Sequence, residues 1–388
     1  MMLFFRDTDI EDLPLYLPAD KIAIVSPLSI EQQQFMFTAL QQYHNFTHLI
    51  FSQALENCTF LPQLGNWLGG LPVLRYLAIT ETRGLGVYGI ENLFLGLTAS
   101  KSLLYLDLSA INLGPEGAYY AAEYVRRSRI IKLHVRGNNL QASGVAFLLK
   151  TRPLISLDIS DNNIHPMRWP TILSKATISL QKLITQSNAH TNVSIGPFCS
   201  WIAYMNLSTL DLSHTELTSI GVRKICDVVP AMPKLAVLKL DNCGLSEHSM
   251  YLLAVMLEKN TSLERLGLLR NPFRAHSFLQ IILGMQKNYT LLQVDMEPMP
   301  ETFMVENGSL RLPILENESV QNHIMRILCH NQDMKLRTRA WSIDRHHCYP
   351  ARTQVLVFTM LLCFQKFRAV PIDIQYHIMS FWVGRDNF

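Results

Sequence analysis

Residues 154–164 read Leu154-Ile155-Ser156-Leu157-Asp158-Ile159-Ser160-Asp161-Asn162-Asn163-Ile164, with apolar side chains at offsets 0, +3, +5 and +10 and a small polar residue at +8. The same spacing holds Ile130, Leu133, Val135, Asn138 and Leu140 before it, and Leu207, Leu210, Leu212, Thr215 and Leu217 after it. Leu235, Leu238, Leu240, Cys243 and Leu245 repeat it again, as do Leu263, Leu266, Leu268, Asn271 and Phe273. Units start at 103, 130, 154, 180, 207, 235, 263 and 291, so successive starts differ by 27, 24, 26, 27, 28, 28 and 28 residues. A period held that closely marks a repeat array.

Each offset has a physical reading. Side chains in a strand alternate faces, so +0, +3 and +5 put Leu or Ile on the core side of a short strand and its entry turn. The residue at +8 stands where the chain leaves the strand and where backbone groups of adjacent coils would otherwise be buried unpaired, at about 1–3 kcal/mol each. A second stretch with helical spacing follows, as in Met250, Leu253, Ala254, Met256 and Leu257. Each unit is therefore strand, turn, helix and return, and it is stable only when stacked on neighbours.

This pattern resembles the leucine-rich repeat family, and units of about 28 residues with a full helix are similar to its ribonuclease-inhibitor-like subclass. The resemblance covers Phe46 to Glu301, with Leu74, Leu77 and Ile79 as a second unit and Phe46, Leu49 and Phe51 as a weaker first one. It implies an α/β solenoid, a horseshoe with parallel strands on the concave face, helices on the convex face and helical caps. The unit at 103 has Ile111 at +8 and Asn112 one place late. The unit at 180 keeps Leu183 and Asn188 but puts Thr185 and His190 where apolar residues belong, which predicts a local kink. Four segments are expected: an N-terminal cap over 1–45, the array over 46–301, a last repeat helix and connector over 302–349, and a helical tail over 350–388.

Composition agrees. A net charge of +3 with 17% charged residues lacks the cationic excess of a dedicated nucleic-acid binder. The start, Met1 to Phe5 followed by Arg6-Asp7-Thr8-Asp9, does not read as a signal peptide. The longest apolar run, Val355 to Phe364, falls short of the ~20 residues that cross a bilayer, and the expectation is a cytoplasmic protein without a membrane partner. Seven cysteines without a C-x-x-C pair fit neither a disulfide framework nor a zinc site.

Asn-x-Ser/Thr triplets such as Asn260-Thr261-Ser262 stand where a repeat helix ends, and there Asn suits a left-handed residue at the helix end better than a glycan. Gly84-Leu85-Gly86-Val87-Tyr88-Gly89, with Asp107 further on, mimics a dinucleotide-binding fingerprint. Every unit here is itself strand, turn and helix, however, so no cofactor is expected. Neighbouring histidines such as His346 and His347 point apart in regular structure, and Asp344 to Cys348 reads as a polar connection rather than a metal site. No Walker loop, nucleophile elbow, metalloprotease helix or kinase motif set is present, and no enzyme activity is expected.

Binding is expected on the concave strand face, at offsets +2, +4 and +6, where side chains form columns across coils. The candidate partner-binding residues are Tyr105, Asp107, Lys132, His134, Arg136, Asp158, Asp211, Lys239, Asp241 and Arg265. Their mixed charges and hydroxyls suit a protein surface better than an apolar ligand. Lys132, His134 and Arg136, with Asp158 in the next coil, form the expected anchor point.

The ends carry further signals. Ser29 with Gln32 makes a capping box for a helix through Phe35, Met36, Ala39 and Leu40. Ile324, Ile327 and Leu328 give a last repeat helix. The segment Val370 to Trp382 resembles the opening helix of an F-box, with Pro371, Ile378 and Met379 matching and Asp373 standing for Glu. That resemblance implies a Skp-type adaptor bound through Pro371, Ile374, Ile378 and Met379, and a role as substrate receptor in ubiquitin ligation. The chain ends before the remaining F-box helices, and a helical cap has the same spacing. Ran GTPase-activating proteins have similar repeats too, but typically with an acidic tail, whereas Lys335, Arg337 and Arg339 make this one basic.

Overall fold

A computed structural model describes residues 2–297 and 324–332, apart from 17–18, 175, 177–179, 189, 191–193 and 273–274. Within them run twelve short strands: β1 (Leu3–Phe5), β2 (Lys21–Ile24), β3 (His48–Ser52), β4 (Tyr76–Thr80), β5 (Tyr105–Asp107), β6 (Lys132–His134), β7 (Ser156–Asp158), β8 (Lys182–Ile184), β9 (Thr209–Asp211), β10 (Val237–Lys239), β11 (Arg265–Gly267) and β12 (Gln293–Asp295). They pair in chain order into one parallel sheet. Parallel neighbours need a crossover. It is supplied by helices such as Leu61–Gly70, Gly86–Leu97, Gly114–Arg127 and Glu247–Lys259. The result is an α/β leucine-rich repeat solenoid, with strands lining the concave face and helices the convex one.

Register follows from the leucines. The +3 residues align into one column through Ile22, Leu49, Leu77, Leu106, Leu133 and onward to Leu266, all with no exposure. A one-residue slip would turn every such side chain to solvent, at about 1.5–3 kcal/mol apiece.

The +8 position does what its chemistry predicts. Asn138 Oδ1 accepts from the N–H groups of Ile111 and Leu113 in the preceding coil, at 3.0 and 3.1 Å, while Nδ2 donates to the Leu108 carbonyl at 2.7 Å. Asn162 repeats this on Asn138, Leu140 and Val135, and Asn271 on Cys243, Leu245 and Leu240. Cys243 keeps one arm of the ladder by donating its thiol to the Leu212 carbonyl at 3.3 Å.

A feature with no sequence signature accompanies this ladder. The residue at +7 is left-handed in coil after coil: Glu81, Ala110, Gly137, Asp161, Ser187, His214, Asn242 and Arg270 all have φ between 51 and 67°. In each of Ala110, Asp161, His214 and Asn242 the N–H donates to a carbonyl of the next coil, at 2.7–2.8 Å. A hydrogen bond between coils thus offsets backbone strain, and residue type is left free.

The structure departs from the sequence expectations in three places. Residues 1–45, expected as a cap, contribute β1, which pairs in register with β2, and β2, which pairs in register with β3, so the stacking reaches back to Leu3. Leu3-Phe4-Phe5 and Ile22-Ala23-Ile24 are apolar at every position, without the alternation of the later strands, and the second coil has Pro27 in place of a polar +8 residue. The kink expected at 180 is absent from the sheet, because β8 pairs in register on both sides. Thr185 and His190 are simply buried, His190 between the rings of Trp169 and Phe198 at 4.8 and 4.7 Å.

The third departure concerns Asn260, whose backbone is extended (φ −84°, ψ 133°) and not left-handed. Its side chain is the reason for asparagine: Oδ1 accepts from Ser262 and Leu263, and Nδ2 donates to Val229 in the preceding coil. Asn288 does the same for Thr290, Leu291 and Leu257, and Asn331, in the helical stretch 324–332, donates to Asn288 and Leu291. A second asparagine ladder therefore ties the return turns together.

The glycine motif also has a packing role. Gly84 is left-handed (φ +74°) with its Cα against the Asn57 side chain, and a Cβ on Gly89 would lie 2.6 Å from Leu61 Cδ1. Leu85 and Ile90 between and after them are buried in the core.

Candidate partner-binding face

The strand face carries a column at +2 in which β2 to β6 place Lys21, His48, Tyr76, Tyr105 and Lys132 side by side. Strand spacing of about 4.8 Å suits ring stacking. His48 stacks on Tyr76 at 5.5 Å with 20° between planes, and Tyr76 on Tyr105 at 4.5 Å with 10°. The column then turns a corner. Tyr105 meets His134, in the +4 column, edge-on at 4.9 Å, and its hydroxyl lies 2.7 Å from His134 Nδ1.

Asp107 completes this node. Its Oδ2 is 3.7 Å from His134 Nδ1, and its Oδ1 accepts from the Ser109 N–H at 3.0 Å and hydroxyl at 2.6 Å. Burial alone would lift the Asp107 carboxyl, but the hydrogen bonds from His134 and Ser109 outweigh it and hold the carboxyl below its ordinary value. Burial, then the charge of Asp107, raises both Tyr76 and Tyr105, which keeps these phenols protonated at neutral pH. Burial and nearby Lys21 lower His48.

The candidate residues make several separate contacts. Tyr105, Asp107 and His134 meet in the node just described. Asp211 and Lys239 meet at 3.7 Å, with Gln186 donating to Asp211 at 2.8 Å. Asp241 lies against Gly267, where a Cβ would fall 2.9 Å from its Oδ1, and it accepts from the Leu269 N–H. Arg265 binds Asp295 at 2.7 and 2.8 Å.

His134 stands opposite Asp158 in the sheet register, as expected of the anchor, but its side chain turns the other way. His134 pairs with Asp107 of the preceding coil rather than with Asp158 of the next, because the Tyr105 hydroxyl and ring draw it backwards. Asp158 instead accepts from its own Ser160 N–H at 2.9 Å. Lys132 and Arg136 are exposed on the same face. Pro371, Ile374, Ile378 and Met379 lie outside the described residues.

His48 and Tyr76 are not among the sequence candidates, although offset +2 from Phe46 and Leu74 points to them.

Elsewhere the chemistry is muted. Burial pushes the thiols of Cys199, Cys226 and Cys243 up to about 12, so they remain protonated near neutral pH. Among the described residues no group of three His, Cys, Asp or Glu side chains could hold a metal ion. No helix among them is long and apolar enough to cross a membrane.

The "Leucine Rich repeat" family profile matches residues 205–226, which take in β9 and most of the helix Ser219–Val228. Two mouse proteins are similar over 48% of the chain: "NACHT, LRR and PYD domains-containing protein 14", 28% identical, and "NACHT, LRR and PYD domains-containing protein 5", 25% identical. The chain spans only 20% and 17% of their lengths. Among solved structures, a TLR13–ssRNA13 complex matches 73% of this chain and 37% of its own, with 17% identity and a TM-score of 0.39. An internalin from Listeria monocytogenes matches 72% and 75%, with 13% identity and a TM-score of 0.36. The "Leiomodin-1 Actin-Binding Site 2" covers 38% and 78%, with 17% identity and a TM-score of 0.31. Twelve stacked coils and a matching repeat give the chain a leucine-rich repeat fold.

Proposed function

We propose that this chain is a non-catalytic interaction scaffold that holds a protein partner on its concave strand face. The observation that supports this most is the unbroken column from Lys21 through the His48, Tyr76 and Tyr105 rings to Lys132, with His134 and Asp107 joined to it. Rigid, half-buried tyrosines beside cations are the side chains that dominate binding energy at protein interfaces. The scaffold fixes them before any partner arrives, which lowers the entropic cost of association.

Affinity capture with the full chain, followed by titration of the captured protein, tests the reading. Replacing the exposed Lys132 and Arg136 with Ala lowers partner affinity and leaves thermal stability unchanged. Unchanged affinity moves the site off this part of the face.

A further inference from the structure

We propose that the strand face between β2 and β6 receives an acidic segment of the protein partner, seated on the edge of the His48–Tyr76–Tyr105 ring column between Lys21 and Lys132. The inference rests on the strand-face reading above and adds the chemistry of the occupant.

The argument begins with what the column leaves free. Tyr76 is covered on one face by His48 and on the other by Tyr105. Ring faces are therefore spent on one another, and an occupant meets ring edges and hydroxyls. Aromatic edges carry the positive end of the quadrupole. The Tyr76 hydroxyl is a protonated donor, while that of Tyr105 is taken up by His134.

Charge points the same way. Lys21 and Lys132 bracket the rings in register, and Arg136 stands at +6 in the coil of Lys132. None of the three has a salt-bridge partner among the described residues. The one carboxylate of these columns, Asp107, is held beneath by Ser109 and His134. Further along, the balance inverts: Lys239 and Arg265 are tied to Asp211 and Asp295, while Asp158 and Asp241 add negative charge. The face is polarised, cationic and aromatic toward β2 and acidic toward β12. An asymmetric field of this kind selects the partner segment of opposite sign and fixes which way round it lies.

A single-stranded nucleic acid is the competing anion. It binds such surfaces by stacking bases on open ring faces. Those of Tyr76 are closed, and the acidic half of the face would repel a phosphate backbone. Protein carboxylates fit better. Four strand spacings separate the Lys21 and Lys132 strands, about 19 Å, which a chain of about six extended residues crosses.

Fluorescence anisotropy with the full-length protein tests this, using labelled acetyl-Glu-Glu-Trp-Glu-Glu-amide, its Lys-for-Glu analogue and an oligouridylate of about ten nucleotides. The acidic peptide is expected to bind at least about tenfold more tightly than the basic one, and to weaken as salt is raised. The double replacement Lys132→Glu with Arg136→Glu reduces that binding by about tenfold or more. Both residues are exposed, so the melting temperature should hold and folding is not in question. Lys239→Glu, in the other half, changes it by less than about twofold. Equal binding of the two peptides, no binding of the acidic one, or tighter binding of the oligouridylate overturns the inference. A captured partner that cross-links to the face at Tyr105 yet ignores the Lys132 and Arg136 replacements also overturns it, while leaving the strand-face reading intact.

Discussion

The Tyr105 hydroxyl lies 2.7 Å from Nδ1 of His134, one coil further along, and the same tyrosine ring stacks on Tyr76 in the coil behind. One side chain thus couples three successive coils on the face that is open to a partner. Tyr105→Phe keeps the ring and deletes the hydrogen bond. It should lower stability by about 0.5–1.5 kcal/mol in urea denaturation. Tyr105→Ala loses the stack as well and should cost more, by about another 0.5–1.5 kcal/mol for the ring pair. Equal losses for the two would mean that the ring contributes nothing.

Stacking of the coils rests on the asparagine ladder. Asn162 makes contacts to Asn138, Leu140, Val135 and Ile159 from a fully buried position. Asn162→Ala strands two donors and at least one carbonyl, and the expected loss is about 3 kcal/mol or more by equilibrium denaturation. A loss below about 1 kcal/mol would show that the neighbouring coils close the gap unaided.

His190 gives the fold a pH dependence. Burial lowers its pKa from 6.5 to about 4, and neither ring nitrogen has a hydrogen-bond partner among the described residues. The unfolded chain therefore binds the proton more tightly, so stability is full above about 6.5, falls as pH drops, and the loss is complete below about 4. At 1.36 kcal/mol per pKa unit this amounts to about 3 kcal/mol. His190→Leu restores the apolar residue of the template and should flatten this part of the stability profile. Urea midpoints at about pH 7 and 4.5 measure it. An unchanged slope in the variant assigns the dependence to other groups.

The left-handed +7 position permits a stabilising change. Ala110 sits at φ 57°. A residue with a Cβ loses about 1–2 kcal/mol there, and glycine loses about 0.5–1 kcal/mol in chain entropy, so Ala110→Gly should raise stability by up to about 1 kcal/mol. Thermal denaturation reads the difference, and a fall in melting temperature would refute the strain.

Much of this architecture was written in the spacing of the leucines, because every +3 side chain must face the core and a register slip would expose all of them. The +8 asparagines were legible for the same reason: a buried turn needs a side chain that both donates and accepts. Other features left no trace. The +7 strain is met by a backbone hydrogen bond, which any residue can make, so Ala110, Asp161 and His214 carry no common mark. The first two coils have strands that are apolar throughout, and the second has Pro27 at +8, so they read as a cap. His190 reads as a fault in the template, yet its aromatic ring fills a leucine site between Trp169 and Phe198. On the strand face, Tyr105, Asp107 and His134 were picked out by offset alone. That His134 leans toward Asp107 rather than Asp158 depends on the size of the Tyr105 ring, which a list of offsets does not contain. His48 and Tyr76 were legible in principle, at +2 of the two weakest units.

The central claim is that the strand face, and not the helical one, meets the partner. A photo-reactive phenylalanine analogue placed at Tyr105 on the strand face, or at the exposed Tyr88 in helix Gly86–Leu97, separates the two directly. Irradiation of the captured complex should cross-link the partner from position 105 and leave position 88 unreacted. Cross-linking from 88 with none from 105 would contradict the account.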